Sequence, residues 1–310
     1  MKQKAPGKFY RKGLTLVELT RMFPDDATAE KWFAEVRWPN GVACPKCGSL
    51  DVQEGAKHPT MPYHCRDCRK YFSVKTGTVM QGSKLGYQVW AIAIYLMNTG
   101  IKGVSSMKLH RDLGITQKSA WHLGHRIREA WDAGTDPFVG PIEADETFIG
   151  GKEKNKHSSK KLRSGRGSVG KTPVAGVKDR ETNEVSAAVV PGVDKVTLQD
   201  FVLGRMAEDA TIFTDEWASY QGLPNHRSVK HSVGEYVDGM AHTNGIESFW
   251  AMLKRGYHGT YHQMSAKHLD RYVTEFAGRH NDREWDTVDQ MQRIARGMVG
   301  KRLRYDDLAA

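Results

Sequence analysis

Apolar positions along the chain recur first at helical and later at strand spacing. Leu14 to Arg37 predicts two helices, LTLVELTRMF and ATAEKWFAEVRW, separated by a Pro24-Asp25-Asp26 turn and closed by Trp38-Pro39-Asn40-Gly41. Helical spacing resumes at Tyr87 and contains the longest apolar run, WAIAIYLM from Trp90 to Met97. That run falls far short of the roughly 20 residues a membrane span requires. VSSMKLHRDLGITQKSAWHLGHRIREAW then predicts a helix-turn-helix. Ser105 or Ser106 caps the first helix, Gly114 makes the turn, Thr116 or Ser119 opens the second, and Ile115, Trp121, Leu123 and Ile127 are anchors.

Beyond Gly134 and Pro137 the period becomes that of strands. FVGPIEADETFIGG is followed by PVAGVKDRETNEVSAAVVPGV with a hairpin at Asp179 to Asn183, then a helix in VTLQDFVLGRMAED, then ATIFTDEWASY and HRSVKHSV. HTNGIESFWAMLKRG returns to helix, with Ile246, Phe249, Trp250 and Leu253 as a core stripe and Glu247, Ala251 and Lys254 on a line beside it. The order predicts an α/β domain around a mixed five-stranded sheet, as in a ribonuclease H-like fold. The expected division is a helical lead-in and metal knuckle over 1–82, a helix-turn-helix region over 83–134, and the α/β domain over 135–310.

Length and charge narrow the partners. A chain of 310 residues accommodates about two or three domains. Lys plus Arg exceed Asp plus Glu by 46 to 36, a net +10 with pI near 9.3, which favours nucleic acid. The first twelve residues carry five basic and no acidic side chains and precede no signal-like apolar run. A DNA-touching tail on a soluble, cytoplasmic protein without a membrane partner is therefore expected. The second helix of the helix-turn-helix should present Gln117, Lys118, His122, His125, Arg126 and Arg128 outward, with Lys118, His122 and Arg126 as DNA contacts.

All four cysteines lie in CPKC (Cys44, Cys47) and CRDC (Cys65, Cys68), with 17 residues between the pairs. This is zinc-knuckle spacing, and four thiolates leave no open position, so one structural Zn²⁺ is expected. His58 and His64 lie nearby and are assigned to surface or phosphate contact.

Two aspartates occupy positions that strand alternation would leave apolar or terminal: Asp145 in IEADETFIG and Asp215 in IFTDEW. A carboxylate inside a sheet is costly without a cation. A third carboxylate at a helix start would complete a cage of hard oxygen ligands for Mg²⁺. Glu247 stands at such a start, where the competing reading makes Asn244 an N-cap, Glu247 its capping-box partner and Lys254 a solvated charge. Between the first two strands, Gly151 to Lys171 holds eight Lys or Arg against Glu153. Its Lys152, Lys154, Lys160, Lys161, Arg163 and Arg166 suit a cationic DNA clamp.

On WPNGVACPKCGS, YHCRDCRKYFSVKTGTVMQGSK, EADETFIGGKEKN, FTDEWASY and HTNGIESFWAMLKRGYHGTYHQMSAKHLDRYVTEFAGRHN, the chain resembles the ISXO-like family of bacterial insertion-sequence transposases. The resemblance runs through almost the whole length. It implies a DDE-type catalytic domain in which Asp145, Asp215 and Glu247 are the acidic triad holding Mg²⁺ or Mn²⁺, two ions in all, and Lys254 reaches the DNA backbone. Relatives with asparagine as third residue make Asn244 the competitor of Glu247, and His242 either neighbours the attacking water or is only hydrogen-bonded. The implied activity is binding of the element's terminal inverted repeats, strand cleavage and strand transfer into target DNA, by a homodimer or higher oligomer in the bacterial nucleoid. The alternatives are a catalytically inactive DNA-binding regulator and a ribonuclease H-like nuclease without joining activity.

Overall fold

The computed structural model describes residues 12–131, 136–151, 153–162, 167–215, 217–228 and 243–310. They form two compact units, one of residues 1–133 with 283–310, the other of residues 134–282.

In the first unit, Thr15 and Glu18 close a capping box on α1 (Leu16–Met22), and Asp25 caps α2 (Asp26–Arg37) through the Thr28 amide. Three short antiparallel strands, β1 (Val52–Gln53), β2 (Tyr63–Cys65) and β3 (Tyr71–Phe72), make the ribbon. α3 (Tyr87–Thr99) is apolar nearly all round because it is the core, with Trp90, Ile94 and Met97 fully buried. Ser105 caps α4 (Ser106–Leu113), Gly114 adopts the left-handed conformation that ends it, and Thr116 caps α5 (Gln117–Arg128). The helix-turn-helix layout thus stands as its caps foretold.

The units do not follow the expected three-part division. One core runs from Leu19 and Phe33 through Val79, Trp90 and Leu123 to Met291, Ile294 and Met298, joining the lead-in, the helix-turn-helix and the chain's last segment. α9 (Thr287–Gly297), expected within the α/β domain, packs here instead, so closely that a Cβ on Gly297 would collide with the Ala130 carbonyl oxygen. α10 (Tyr305–Ala309) belongs to this unit as well.

The second unit is a five-stranded mixed sheet of the ribonuclease H-like kind, in the order β6-β5-β4-β7-β8. β4 (Ile142–Ile149), β5 (Thr172–Asp179) and β6 (Val185–Val189) run antiparallel, whereas β7 (Ile212–Thr214) and β8 (His226–Ser228) extend the sheet in parallel from β4. Alternation sorts the side chains. Ile142, Ala144, Ala175, Val177 and Ile212 form one core with α6 (Lys195–Leu203). Ile149, Val174 and Val185 form the other with α7 (Asn244–Gly256) and α8 (Ala266–Asn281). Helix α8 also covers the β6 edge, Asn281 pairing with both the amide and the carbonyl of Val185 and Asp270 accepting from the Val189 amide. The expected hairpin between β5 and β6 is present, with Asp179 accepting from the Glu181 and Thr182 amides and Asn183 at φ 59°.

Candidate metal centres and nucleic-acid surface

Each CxxC pair lies in a tight knuckle. Gly48 (φ 77°) and Arg69 (φ 55°) adopt the left-handed conformation that turns the chain, and the Gly48 amide donates to the Cys44 carbonyl at 2.9 Å. The four sulfurs lie within 4.8 Å of one another, with Cys44 to Cys68 and Cys47 to Cys65 each 3.6 Å apart. A tetrahedral Zn–S bond of about 2.3 Å requires S···S edges of about 3.8 Å, so the four thiols fit a closed zinc site. Burial opposes ionisation of Cys44, but the Lys46 and Cys47 amides draw its thiol down to about 7. Burial and then the neighbouring Cys44, Cys65 and Cys47 push Cys68 up to about 12. Such a cluster ionises fully only around a cation. Tyr63 and Phe72 stack and Trp38 meets both edge-on in the small core around the cysteines, while Tyr71 sits against the rings of His58 and His64, at 5.2 and 4.5 Å. Both histidines, half-buried against Tyr71, therefore stand outside the thiol site.

The acidic residues of the second unit come from three elements. Asp145 lies mid-β4 opposite Gly176. The parallel register Glu143↔Phe213, carried two residues on, brings Asp145 beside Asp215 at the end of β7. Glu247 is in the first turn of α7. The missing side chain at Gly176 admits the Trp250 ring, 2.7 Å from where a Cβ would be, and its indole donates to Asp145 Oδ2 at 3.0 Å. Burial, then Glu146, Asp215 and Glu247, push the Asp145 carboxyl up to about 8. Glu146, which accepts from the Tyr220 hydroxyl at 2.8 Å, is raised too, by burial above all and by Asp215. Asp215 Oδ1 accepts from the Trp217 amide, and Glu247 Oε1 from the Thr243 hydroxyl. Among the described residues only the four thiols are gathered closely enough to close on an ion as they stand. The hard oxygen donors of the carboxylates, crowded until one takes up a proton near neutrality, fit a divalent cation such as Mg²⁺.

The start of α7 departs from the capping-box expectation. Thr243, not Asn244, is the N-cap; Asn244 is the first helical residue and exposed, and Glu247 hydrogen-bonds to the threonine hydroxyl. Lys254, exposed in the last turn, lies about 10 Å further along the same helical face, seven residues at 1.5 Å each. A π-helical turn, Tyr257–Tyr261, follows it. His242 lies outside the described residues.

Missed by sequence reasoning was Glu143, 1% exposed and two residues before Asp145 on the same face. It accepts from Arg180 Nε at 2.9 Å and from the Ile246 amide at 2.8 Å.

Basic residues divide sharply. Arg126, expected on the DNA-facing side of α5, is buried, donating to the Gln81 carbonyl at 2.6 Å with its guanidinium over the Trp90 ring. His125 and Arg128 are buried as well. His122 is half-buried and hydrogen-bonded to the Leu303 carbonyl, and burial lowers its pKa. Lys118 and Gln117 are exposed, Lys118 resting over the Tyr305 ring. In the arm between β4 and β5, Glu153 organises two short 3-10 turns, accepting from Lys156 and from the Leu162 amide. Lys161 is exposed; Lys152, Arg163 and Arg166 lie outside the described residues, as do the side chains of Lys154 and Lys160. No helix among the described residues is long and apolar enough to cross a membrane.

A four-cysteine ribbon on one unit and, on the other, a ribonuclease H-like sheet with one carboxylate inside β4 and another just past the end of the adjacent β7 define a zinc-ribbon transposase. Residues 137–281 match the ISXO2-like transposase domain and residues 24–71 the transposase zinc-ribbon domain, and the chain belongs to that family of insertion-sequence proteins. It is similar to an uncharacterized protein of the transposable element ISH50 from Halobacterium salinarum, 29% identical over 273 residues, covering 83% of this chain and 91% of the relative. It is also similar to an uncharacterized transposase-like protein of Haemophilus influenzae, 28% identical over 105 residues, 33% of this chain and 84% of the relative.

Proposed function

We propose that the protein is a DNA transposase that binds the terminal inverted repeats of an insertion sequence, cleaves there, and joins the 3′-hydroxyl ends to target DNA. The observation that carries this reading is Asp145, a carboxylate held inside the sheet with its pKa raised to about 8 by burial, Glu146, Asp215 and Glu247. A fold keeps so unfavourable a cluster where function needs it.

In this reading Asp145, Asp215 and Glu247 hold Mg²⁺ or Mn²⁺, as two ions. When bound, such a pair activates the attacking oxygen and stabilises the leaving one in an in-line phosphoryl displacement. The chain's own groups orient that site. The Trp250 indole fixes Asp145, the Trp217 amide fixes Asp215, and the Thr243 hydroxyl fixes Glu247. Glu247 is preferred to Asn244 as third residue because its charge bears on Asp145, and a carboxylate binds Mg²⁺ more strongly than an amide. Lys254, with Lys161 and its neighbours in the arm, would neutralise phosphates that the acidic cluster repels. The ribbon, with one structural Zn²⁺, and Lys118 on α5 would contact the element ends, in a dimer or larger assembly in the nucleoid.

A donor plasmid carrying a selectable marker between the coding region's own flanking DNA tests the reading in cells. The marker should move to new sites with the wild-type protein and stay in place with Asp145→Asn, Asp215→Asn or Glu247→Gln. Wild-type protein that occupies those flanks without moving the marker would favour a regulator, and cut flanks without new insertions a nuclease.

A further inference from the structure

The acidic cluster draws one member from a helix, and something must hold that helix in register with the strands. Glu143 occupies the place to do so. It lies on the same face of β4 as Asp145, opposite Lys178 on β5. One carboxylate oxygen receives Arg180 Nε at 2.9 Å; the other receives the Ile246 amide at 2.8 Å, one of the first-turn N–H groups that α7 cannot satisfy internally. Arg180 is itself braced, its guanidinium 4.0 Å from the centre of the Phe213 ring on β7. The helix comes so close that a Cβ on Gly245 would fall 2.7 Å from both Glu143 Oε2 and Lys178 Nζ. A buried carboxylate at a helix N-terminus is favoured by the helix dipole and by charge-assisted hydrogen bonds.

We infer that Glu143, held by Arg180, is a positioning residue that seats the α7 N-terminus on the sheet and thereby brings Glu247 to Asp145 and Asp215. The inference rests on the reading of those three as the metal-holding residues. Glu143 reaches the site only through the helix: Ile246, whose amide it binds, immediately precedes Glu247. Asp145 is tied to the same helix one turn further on, by Trp250. The two strand carboxylates thus grip α7 one turn apart, with Glu247 between the gripped positions.

The test uses the full zinc-loaded protein and three readouts: hydrogen exchange at the Ile246 amide, Mn²⁺ binding followed by electron paramagnetic resonance, and the Mn²⁺ concentration giving half-maximal strand cleavage. Glu143→Gln should exchange the Ile246 amide about tenfold faster, the loss of roughly 1.4 kcal/mol from a charge-assisted bond. It should also weaken Mn²⁺ binding about tenfold or more, as for other supports of metal ligands, with cleavage recovering at high Mn²⁺. Glu247→Gln should not recover. Should Glu143→Gln fail to fold, Gly245→Ala keeps every charge while displacing the helix start, and should shift the same metal midpoint. A folded Glu143→Gln, or Gly245→Ala in its place, with wild-type Mn²⁺ binding would overturn the inference. An active Glu247→Gln would instead overturn the reading of the site, leaving the Ile246 exchange to report whether Glu143 holds the helix.

Discussion

At the scale of single residues, Asp145 carries a measurable consequence. An unfolded aspartate titrates near 3.9, while burial and the neighbouring carboxylates raise the folded group to about 8. The folded state therefore holds the proton more tightly. The stability this contributes is fully present below about pH 4 and is lost as pH rises through about 8. Without Mg²⁺, the transition of the second unit in thermal melts of zinc-loaded protein should fall from pH 5 to pH 9. Asp145→Asn should flatten that slope and melt higher at pH 8; an unchanged slope would place the titration elsewhere. Asp145 and Asp215 stood out in the sequence because a carboxylate within or ending a strand is costly without a cation, whereas Glu247 was singled out by the family resemblance. Glu143 was not, since its partners, the Ile246 amide and Arg180, come from positions 103 and 37 residues away. The N-cap was misread by one residue, because Thr243 and Asn244 are both capping types and only the dihedrals separate them.

At the scale of elements, the ribbon and α5 make separable predictions. Cys44→Ser removes one of four thiolates from a knuckle with a minimal core of its own, so zinc should be released and the ribbon lose protease resistance while the second unit keeps its melting transition. A zinc content unchanged on metal analysis would contradict the four-thiol site. On α5, Arg126→Ala should cost about 1–3 kcal/mol of stability in denaturant titration, because it strips a buried hydrogen bond and ring contact from the core. Lys118→Ala should leave stability within about 0.5 kcal/mol and lower DNA affinity. The reverse pattern would restore Arg126 to the DNA surface. The helix-turn-helix was legible in its caps and its glycine. Which basic residues face outward was not, because the α5 periodicity admits an inner face that only packing on α3 defines.

At the scale of the whole molecule, charge and connectivity count most. A net +10 concentrated partly in the arm and the N-terminal segment predicts affinity for DNA that falls steeply with salt, as phosphate contacts displace counterions. Fluorescence anisotropy on duplex DNA between 50 and 200 mM salt should lose at least about tenfold in affinity for a few such contacts; a flat dependence would remove the arm from the interface. The return of residues 283–310 to the first unit was illegible, since their amphipathic pattern names an apolar face and not the core that receives it. The central claim is that Asp145, Asp215 and Glu247 act together in metal-dependent strand cleavage and joining. Its most direct measurement incubates purified protein with labelled duplexes bearing the element ends, target plasmid and Mg²⁺, and resolves nicked and joined strands on a denaturing gel. Both products should appear with the wild type and with Asn244→Ala, and neither with Asp145→Asn, Asp215→Asn or Glu247→Gln, all folded and DNA-binding. Cleavage and joining by Glu247→Gln beside a folded, inactive Asn244→Ala would contradict the account.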